Sequence, residues 1–162
     1  MEVVDGIATI EDVAEFVTEL DAIGERYDAT VQAFDARYVV DRSHLERAVA
    51  LAERARERGD TIADDFGVEI LLYAAGRRQI NRALAMGVSE GECPVVAVVV
   101  GGDEAGAAEA LQALLESGET LDEYDPERVR SFFDVSDAEL AATDGTLADA
   151  VRERVALLPV EK

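Results

Sequence analysis

The sequence predicts a single α+β domain over residues 1–162, in which a small mixed central sheet of about four strands is flanked by several helices. Two observations support this fold class. The chain has 162 residues, of which 49% are hydrophobic, so it can bury one core. Four short apolar runs are typical of strands, and longer segments repeat apolar residues at helical spacing. No linker, internal repeat or low-complexity stretch divides the chain.

The predicted strands cover residues 2–9, 30–34, 68–75 and 95–100. Gly6 is expected to bend the first of them. The third run is nearly all apolar, so we interpret it as a central strand that is buried on both faces. The fourth is the most strand-like run of the chain. Because a helix is predicted between the third and fourth strands, we expect a right-handed parallel crossover there.

The predicted helices cover residues 10–26, 43–58, 77–86, 103–116, 125–133, 136–142 and 146–158. Thr9 is the expected N-cap of the first helix, and the residues from Ser43 to Glu46 form a capping box for the second. Pro126 stands at the first position of a later helix, where proline is favoured. Residues 35–40 are predicted to be extended, and one helical turn is expected at 61–66.

The chain is strongly acidic. Its formal net charge is −21, from 36 acidic and 15 basic residues. Repulsion on this scale destabilises a compact state in dilute buffer, whereas molar salt shortens the Debye length to about 3 Å and removes that cost. We therefore interpret the acidity as adaptation to the salt-rich cytoplasm of a halophilic archaeon, rather than as an acidic functional surface.

The sequence predicts a cytoplasmic protein. Glu2 and Asp5 stand where a secretory signal would be basic and then apolar, and no apolar run approaches the length of a transmembrane helix. Cys93 is the only cysteine, so no internal disulfide forms, and it is interpreted as a structural thiol.

No catalytic, cofactor or metal motif is found. A Gly-x-Ser-x-Gly motif is absent, and the single histidine, His44, has no evident partner and is interpreted as a packing residue. One histidine and one cysteine cannot make a zinc site. The turn from Gly101 to Asp103 lacks the lysine of a phosphate loop, so it is interpreted as a strand-to-helix turn. A small-molecule enzyme is therefore the least supported function.

Basic residues concentrate at two predicted strand-to-helix junctions. The first group flanks the second helix and comprises Arg37, Arg42, His44 and Arg47; the second follows the third strand and comprises Arg77, Arg78 and Arg82. If both strands run in the same direction, their basic ends meet at one sheet edge, where Tyr38 offers a stacking surface. A helix N-terminus there would suit a phosphate, and the alternative is a set of ion pairs with nearby carboxylates.

Further arginines lie along the second predicted helix. One stripe comprises Arg47, Arg54 and Arg58, and an acidic stripe runs beside it, comprising Glu46, Glu53 and Glu57. We interpret the arginines of this stripe as a solvated, self-paired face.

Two of these regions resemble a known family. Residues 34–52 (FDARYVVDRSHLERAVALA) and 67–83 (GVEILLYAAGRRQINRA), with the valine strand after them, are similar to the small kinase-binding (TPRKB-like) accessory subunit of the KEOPS tRNA-modification complex. The resemblance covers roughly residues 3–115. It is most specific at His44-Leu45, Ala48-Val49 and Glu69 to Ile80.

The resemblance implies a function. KEOPS makes threonylcarbamoyladenosine at position 37 of tRNA, and this subunit is not its enzyme. It implies a direct contact with the KEOPS kinase/ATPase subunit, which it activates, and only an indirect contact with the transferase subunit. It also implies recruitment of tRNA through the single-stranded 3′ CCA tail, with no cofactor, DNA or membrane partner. The implied fold is a small sheet flanked by helices.

The predicted tRNA-binding residues are Arg37, Tyr38, His44, Arg77, Arg78, Gln79 and Arg82. In high salt, counterion release adds little affinity, so stacking and directed hydrogen bonds must carry the binding. The alternative function is a purely protein-binding kinase regulator with no direct tRNA contact. The amphipathic helix at 146–158 is a candidate for kinase docking, although packing in the core is favoured for it.

Overall fold

The structure, a computed structural model, describes residues 1–142 and 145–161. In this part of the chain three strands form one sheet: β1 (Glu2–Ile10), β2 (Thr30–Asp35) and β3 (Gly91–Val100). The same residues form eight α-helices: α1 (Val13–Tyr27), α2 (Arg42–Glu57), α3 (Phe66–Ala75), α4 (Ile80–Ala83), α5 (Glu104–Leu114), α6 (Pro126–Phe133), α7 (Asp137–Ala142) and α8 (Leu147–Glu161). Short 3-10 segments, Ala36–Tyr38 and Leu84–Met86, follow β2 and α4.

The sheet is antiparallel throughout, with the strand order β1–β3–β2. The predicted α+β class is therefore confirmed. The described residues contain three strands rather than about four, and the sheet is not mixed. The predicted parallel crossover is wrong, because the run that was to begin it is a helix.

Residues 68–75, predicted as the third strand, lie in α3. Asp65 caps this helix by accepting a hydrogen bond from the Val68 N–H at 2.9 Å, and Gly76 ends it with a φ of 61°. The helix is enclosed by β2, α2 and α8. A helix buried on all sides has no polar face that would reveal its period, so its sequence resembles that of a buried strand.

The two faces of the sheet bury different helices. Alternate residues from Val95 to Val99 pack against α1 and α5, whereas those from Val96 to Val100 pack against α2, α3 and α8. β3 is buried on both faces for this reason, which explains its continuous run of apolar residues. The sheet is thus the middle layer of three.

Several helix starts differ from the prediction because an aspartate supplies the cap. α1 is capped by Asp12 instead of Thr9. α2 is capped by Asp41 instead of Ser43, and its carboxylate accepts from the His44 N–H at 2.8 Å. Residues 36–38 form a 3-10 turn instead of continuing the strand.

Other elements in the first half are shorter or straighter than expected. Residues 61–65 form a loop instead of a helical turn, and the helix predicted at 77–86 is reduced to α4 and the 3-10 segment after it. Gly6 does not bend β1 but pairs with Val95. It leaves room for the Glu116 carbonyl oxygen, which a Cβ at this position would approach to 2.7 Å.

The helices predicted in the second half are confirmed. α6 begins at Pro126 as expected, and α8 packs an apolar stripe into the core, formed by Ala150, Val151, Val155 and Leu158. This arrangement confirms the core-packing interpretation of the segment at 146–158. Among the described residues, no helix is long and apolar enough to cross a membrane.

Candidate functional site

The two groups of basic residues meet through an aromatic residue of α6. The rings of Tyr38 and Phe132 pack edge to face, with centroids 5.5 Å apart and an interplanar angle of 72°. The guanidinium carbon of Arg77 lies 5.2 Å from the centroid of Phe132. Arg77 also donates a hydrogen bond from Nη2 to the Phe132 carbonyl. Phe132 therefore joins the segment after β2 to the segment after α3.

We call this region the aromatic–arginine surface, and it comprises Arg37, Tyr38, Arg77, Arg128 and Phe132. Tyr38 and Phe132 are each half-buried, and with Glu127, Arg128 and Ser131 they line a shallow depression of about 350 Å³. A partly exposed ring beside guanidinium groups can stack with a planar base and attract its phosphate. The surface thus has the chemistry needed to bind single-stranded nucleic acid.

Arg37 is held in place by Asp35. Its Nε and Nη2 donate to the two carboxylate oxygens at 2.9 and 2.7 Å, and the Asp35 side chain is only 4% exposed. This bidentate hydrogen bonding raises the pKa of Arg37, which stays charged. The Arg37 carbonyl accepts from the Asp125 N–H at 2.9 Å, which ties the residue to the start of α6. Within the described chain, its Nη1 makes no hydrogen bond.

His44 lies beneath this surface instead of on it. Its ring is fully buried, Nδ1 accepts from the Val40 N–H at 3.3 Å, and Nε2 lies 2.7 Å from the Ala74 carbonyl oxygen. Nε2 therefore carries the proton and donates it, so the ring is neutral. Burial lowers the pKa of His44 from 6.5 to about 4. A ring with both nitrogens used inside the protein cannot contact a ligand at the surface, so the predicted direct contact is corrected.

His44 contributes to the site by positioning it. Its ring packs edge to face against Phe133, with centroids 5.8 Å apart, and Phe133 in turn packs against Phe132 at 4.9 Å. The hydrogen bond to Ala74 also connects the start of α2 to the end of α3. His44 thus joins the three segments that carry the aromatic–arginine surface.

The segment from Arg78 to Arg82 continues from Arg77 along the exterior. The side chains of Arg78, Gln79 and Arg82 are all exposed. Gln79 precedes α4 but makes no side-chain cap, so its amide faces solvent. No ion pair engages Arg82 in the described part of the chain. α4 is a single turn of four residues, so the predicted anion cradle at a long helix N-terminus is absent.

Two residues of the surface were missed by the sequence prediction. Phe132 and Arg128 lie on α6, and the amphipathic pattern of that helix does not indicate which element it packs against. Arg128 is paired with Asp125 at 3.2 Å. The self-pairing predicted for the arginine stripe on α2 is also wrong, because Arg47, Arg54 and Arg58 make no ion pair with any described residue.

The described residues contain no group of three or more His, Cys, Asp or Glu side chains that could hold a metal ion. A search of curated proteins finds no match to the sequence. A family model does match, over residues 8–158, and its description is kinase binding protein CGI-121. The match covers most of the fold, including the end of β1, all of β2 and β3, and the whole aromatic–arginine surface. The chain therefore belongs to the CGI-121 family of kinase-binding proteins.

Proposed function

We propose that the chain is a non-catalytic subunit of a KEOPS complex that binds and activates the kinase/ATPase subunit and recruits tRNA through its 3′ CCA tail. Membership of a kinase-binding family supports the contact with the kinase. The resemblance of residues 34–52 and 67–83 to the KEOPS accessory subunit supports the choice of complex. The transferase subunit would be reached only through the kinase.

The observation that carries the RNA part of the proposal is the placement of Tyr38, Phe132 and Arg77 beside the exposed segment from Arg78 to Arg82. The CCA tail is single-stranded, so its bases are free to stack on the two rings. Each base–aromatic contact is worth about 1–3 kcal/mol. The arginines and Gln79 would then bond to phosphates and base edges.

High salt weakens the electrostatic contribution to this binding more than the contributions of stacking and hydrogen bonds. Neutralising a phosphate of single-stranded RNA releases counterions, and that gain falls as salt rises. Stacking and directed hydrogen bonds keep more of their strength. We therefore expect Tyr38, Phe132 and Gln79 to contribute a larger share of affinity here than in a protein that works at low salt.

Affinity for tRNA with and without its CCA tail tests the proposal. We expect intact tRNA to bind at least about tenfold more tightly than trimmed tRNA in molar KCl. Arg78→Glu combined with Arg82→Glu should remove that difference, because it puts negative charge where the tail is proposed to bind. Both side chains are exposed, so the fold should tolerate the change. Fluorescence anisotropy with labelled tRNA measures both quantities.

The matched control is Arg54→Glu combined with Arg58→Glu at the end of α2. Both positions are exposed arginines, so the variant has the same net charge as the test variant but leaves the aromatic–arginine surface intact. It should bind intact tRNA like the unaltered chain. Equal affinity of the unaltered chain for intact and trimmed tRNA would contradict recruitment through the tail.

A second candidate function is kinase regulation without tRNA contact. It is favoured by the internal roles of Arg37 and Arg77, which bond to Asp35 and to the Phe132 carbonyl. In this case the chain would stimulate ATP hydrolysis by the kinase, and it would bind neither form of tRNA.

A further inference from the structure

The two outer edges of the sheet differ. At the β1 edge, the Ile7 N–H donates to the Glu116 carbonyl at 2.9 Å, and the Glu116 N–H donates back to the Ile7 carbonyl at 2.8 Å. The Gln112 side chain also donates to the Asp5 carbonyl. The segment after α5 therefore closes this edge. No described element pairs with the outer edge of β2.

The backbone groups that face outward from β2 follow from strand alternation. The backbone groups of Ile7 bond to Glu116, so those of its neighbour Gly6 point to Val95 of β3. Backbone groups of consecutive strand residues point to opposite sides, so those of Val96 point to β2. Val96 is opposite Phe34, so the backbone groups of Phe34 and Gln32 bond to β3. The backbone groups of Val31 and Ala33 therefore point away from β3. The Ala33 carbonyl accepts from the Gln32 side chain at 3.0 Å, which agrees with this assignment.

Of the outward groups of Val31 and Ala33, three have no hydrogen-bonding partner among the described residues. They are the N–H and carbonyl of Val31 and the N–H of Ala33. Both residues are buried, at 8% and 3% exposure, so these groups lie at the floor of a groove and not on an open surface. Recessed backbone groups without partners are costly, and an added strand would satisfy them where a helix could not.

The groove consists of two connected cavities, of about 790 and 250 Å³, which share Val17, Asp21, Val31 and Gln32. The smaller cavity is mainly apolar. Val17 and Leu84 stand on its rim, and they are 41% and 57% exposed, among the most exposed large apolar side chains of the described chain.

The larger cavity is acidic. It is lined by Asp21, Glu25, Asp28 and Asp65, none of which makes an ion pair with a described residue. Arg56 also lines this cavity, but its guanidinium stacks on Phe66 at 3.7 Å from the ring centroid. The end of the groove near Thr30 thus suits basic side chains, and the end near Ala33 suits apolar ones.

We propose that this groove binds an extended segment of the kinase partner, which adds to β2 as a fourth strand. The segment would place apolar side chains against Val17 and Leu84 and a lysine or arginine beside Asp21 and Glu25. The choice of the kinase rests on the kinase-binding function of the family. The choice of an extended conformation rests only on the outward groups of β2.

The test is the affinity of the chain for the purified KEOPS kinase subunit, measured by calorimetry in molar KCl. Val17→Glu combined with Leu84→Glu should weaken binding at least about tenfold, because it places charge against apolar side chains. The control is Ile80→Glu combined with Leu114→Glu, at positions that are 46% and 38% exposed and lie outside the groove. That variant should bind like the unaltered chain.

Charge reversal tests the acidic end. Asp21→Arg combined with Glu25→Arg should weaken binding, and more at the lowest KCl concentration that keeps the chain folded than in molar KCl. Glu15→Arg combined with Glu19→Arg is the matched control, since these residues are also exposed on α1 but do not line the groove. Equal loss in both variants would show that only the net charge matters and would overturn the assignment of this end.

Amide hydrogen exchange tests the added strand itself. The amides of Val31 and Ala33 should become protected when the kinase binds. Kinase binding that survives the substitutions at Val17 and Leu84, with no protection of these amides, would overturn the proposed groove and leave the kinase-binding function intact. Failure of the unaltered chain to bind the kinase would overturn that function and the groove with it. Self-association through the groove, seen by light scattering without kinase, would show that the occupant is a second copy and overturn the proposal.

Discussion

His44 shows how a single buried residue can link the aromatic–arginine surface to the core. Its neutral ring bonds to Val40 and Ala74 and packs against Phe133. Protonation would require Nδ1 to carry a hydrogen that faces the Val40 N–H, and it would place a charge in a site with no exposure to water. Both effects oppose the charged form, although burial is the larger cause of the low pKa.

The stability of the protein should therefore depend on pH through His44. The pKa is about 4 in the folded chain and 6.5 when unfolded, so the unfolded state binds the proton more tightly. The contribution is complete above about pH 6.5 and declines as pH falls towards 4. We expect a loss of about 2 kcal/mol between about pH 7 and pH 5 from this residue, measured by denaturant unfolding at constant salt.

His44→Gln separates this effect from the titration of carboxylates. A glutamine amide can still donate to the Ala74 carbonyl but cannot take up a proton in this range. The variant should be less stable than the unaltered chain at pH 7, and the difference should shrink towards pH 5. A constant difference across this range would contradict the assignment.

At the scale of elements, the sequence predicts those whose signals are local. The strands at β1, β2 and β3 and the proline start of α6 were predicted because alternation, apolar runs and Pro126 act within a few residues. α3 was misassigned, because its burial depends on packing between β2, α2 and α8. The caps Asp65 and Gly76 bracket the run and were the local signals for a helix.

The residues of the candidate site also fall into those with a local sequence signal and those whose role depends on tertiary packing. Arginine clustering and Tyr38 were visible in the sequence, because charge and residue type need no tertiary structure. The role of Phe132 was not, because α6 is distant along the chain from both Tyr38 and Arg77. The sequence predicts His44 as a packing residue but also as a tRNA contact, and its complete burial depends on α3 being a helix that places Ala74 beside α2.

The loop before α3 depends on a buried carboxylate. Glu69 is fully buried, and it accepts hydrogen bonds from the N–H groups of Ile62, at 2.9 Å, and Ala63, at 2.8 Å. Glu69→Gln keeps the size of the side chain but removes the charge and one acceptor. We expect a loss of about 2–3 kcal/mol in the free energy of unfolding and faster hydrogen exchange at the Ile62 and Ala63 amides.

Glu46→Gln provides the comparison for this change. Glu46 is exposed on α2 and makes no hydrogen bond or ion pair with a described residue, so its substitution should leave stability within about 0.5 kcal/mol of the original. Similar effects of the two substitutions would show that removal of a negative charge, and not the anchoring of the loop, determines the result.

For the whole molecule, the dominant electrostatic quantity is the net charge of −21. The described ion pairs are mostly partly exposed, as between Arg154 and Glu139 at 2.6 Å, so each adds little. Charge repulsion acts across the whole structure, and it is screened when the Debye length falls from about 10 Å at 0.1 M salt to about 3 Å at 1 M.

We therefore expect the chain to lose stability when salt is removed. Circular dichroism during dialysis from molar to dilute KCl should show unfolding, and the midpoint of thermal unfolding should rise steadily with KCl. Sucrose at matched osmolarity serves as the control, because it does not screen charge. Full stability in dilute buffer would contradict adaptation to high salt.

The unpaired edge of β2 also has a consequence for how much of this protein a cell can carry. An open strand edge pairs with any suitable extended chain, and proteins normally protect such edges with charge. Here Asp21, Glu25 and Asp28 stand beside the edge, but the salt that stabilises the fold also screens them. Copies made in excess of their partners would thus keep a strand edge that can pair with other chains, and the screened carboxylates beside it would protect it only weakly. We expect balanced synthesis of this chain and its kinase partner to matter more than for a chain whose sheet is closed on both sides.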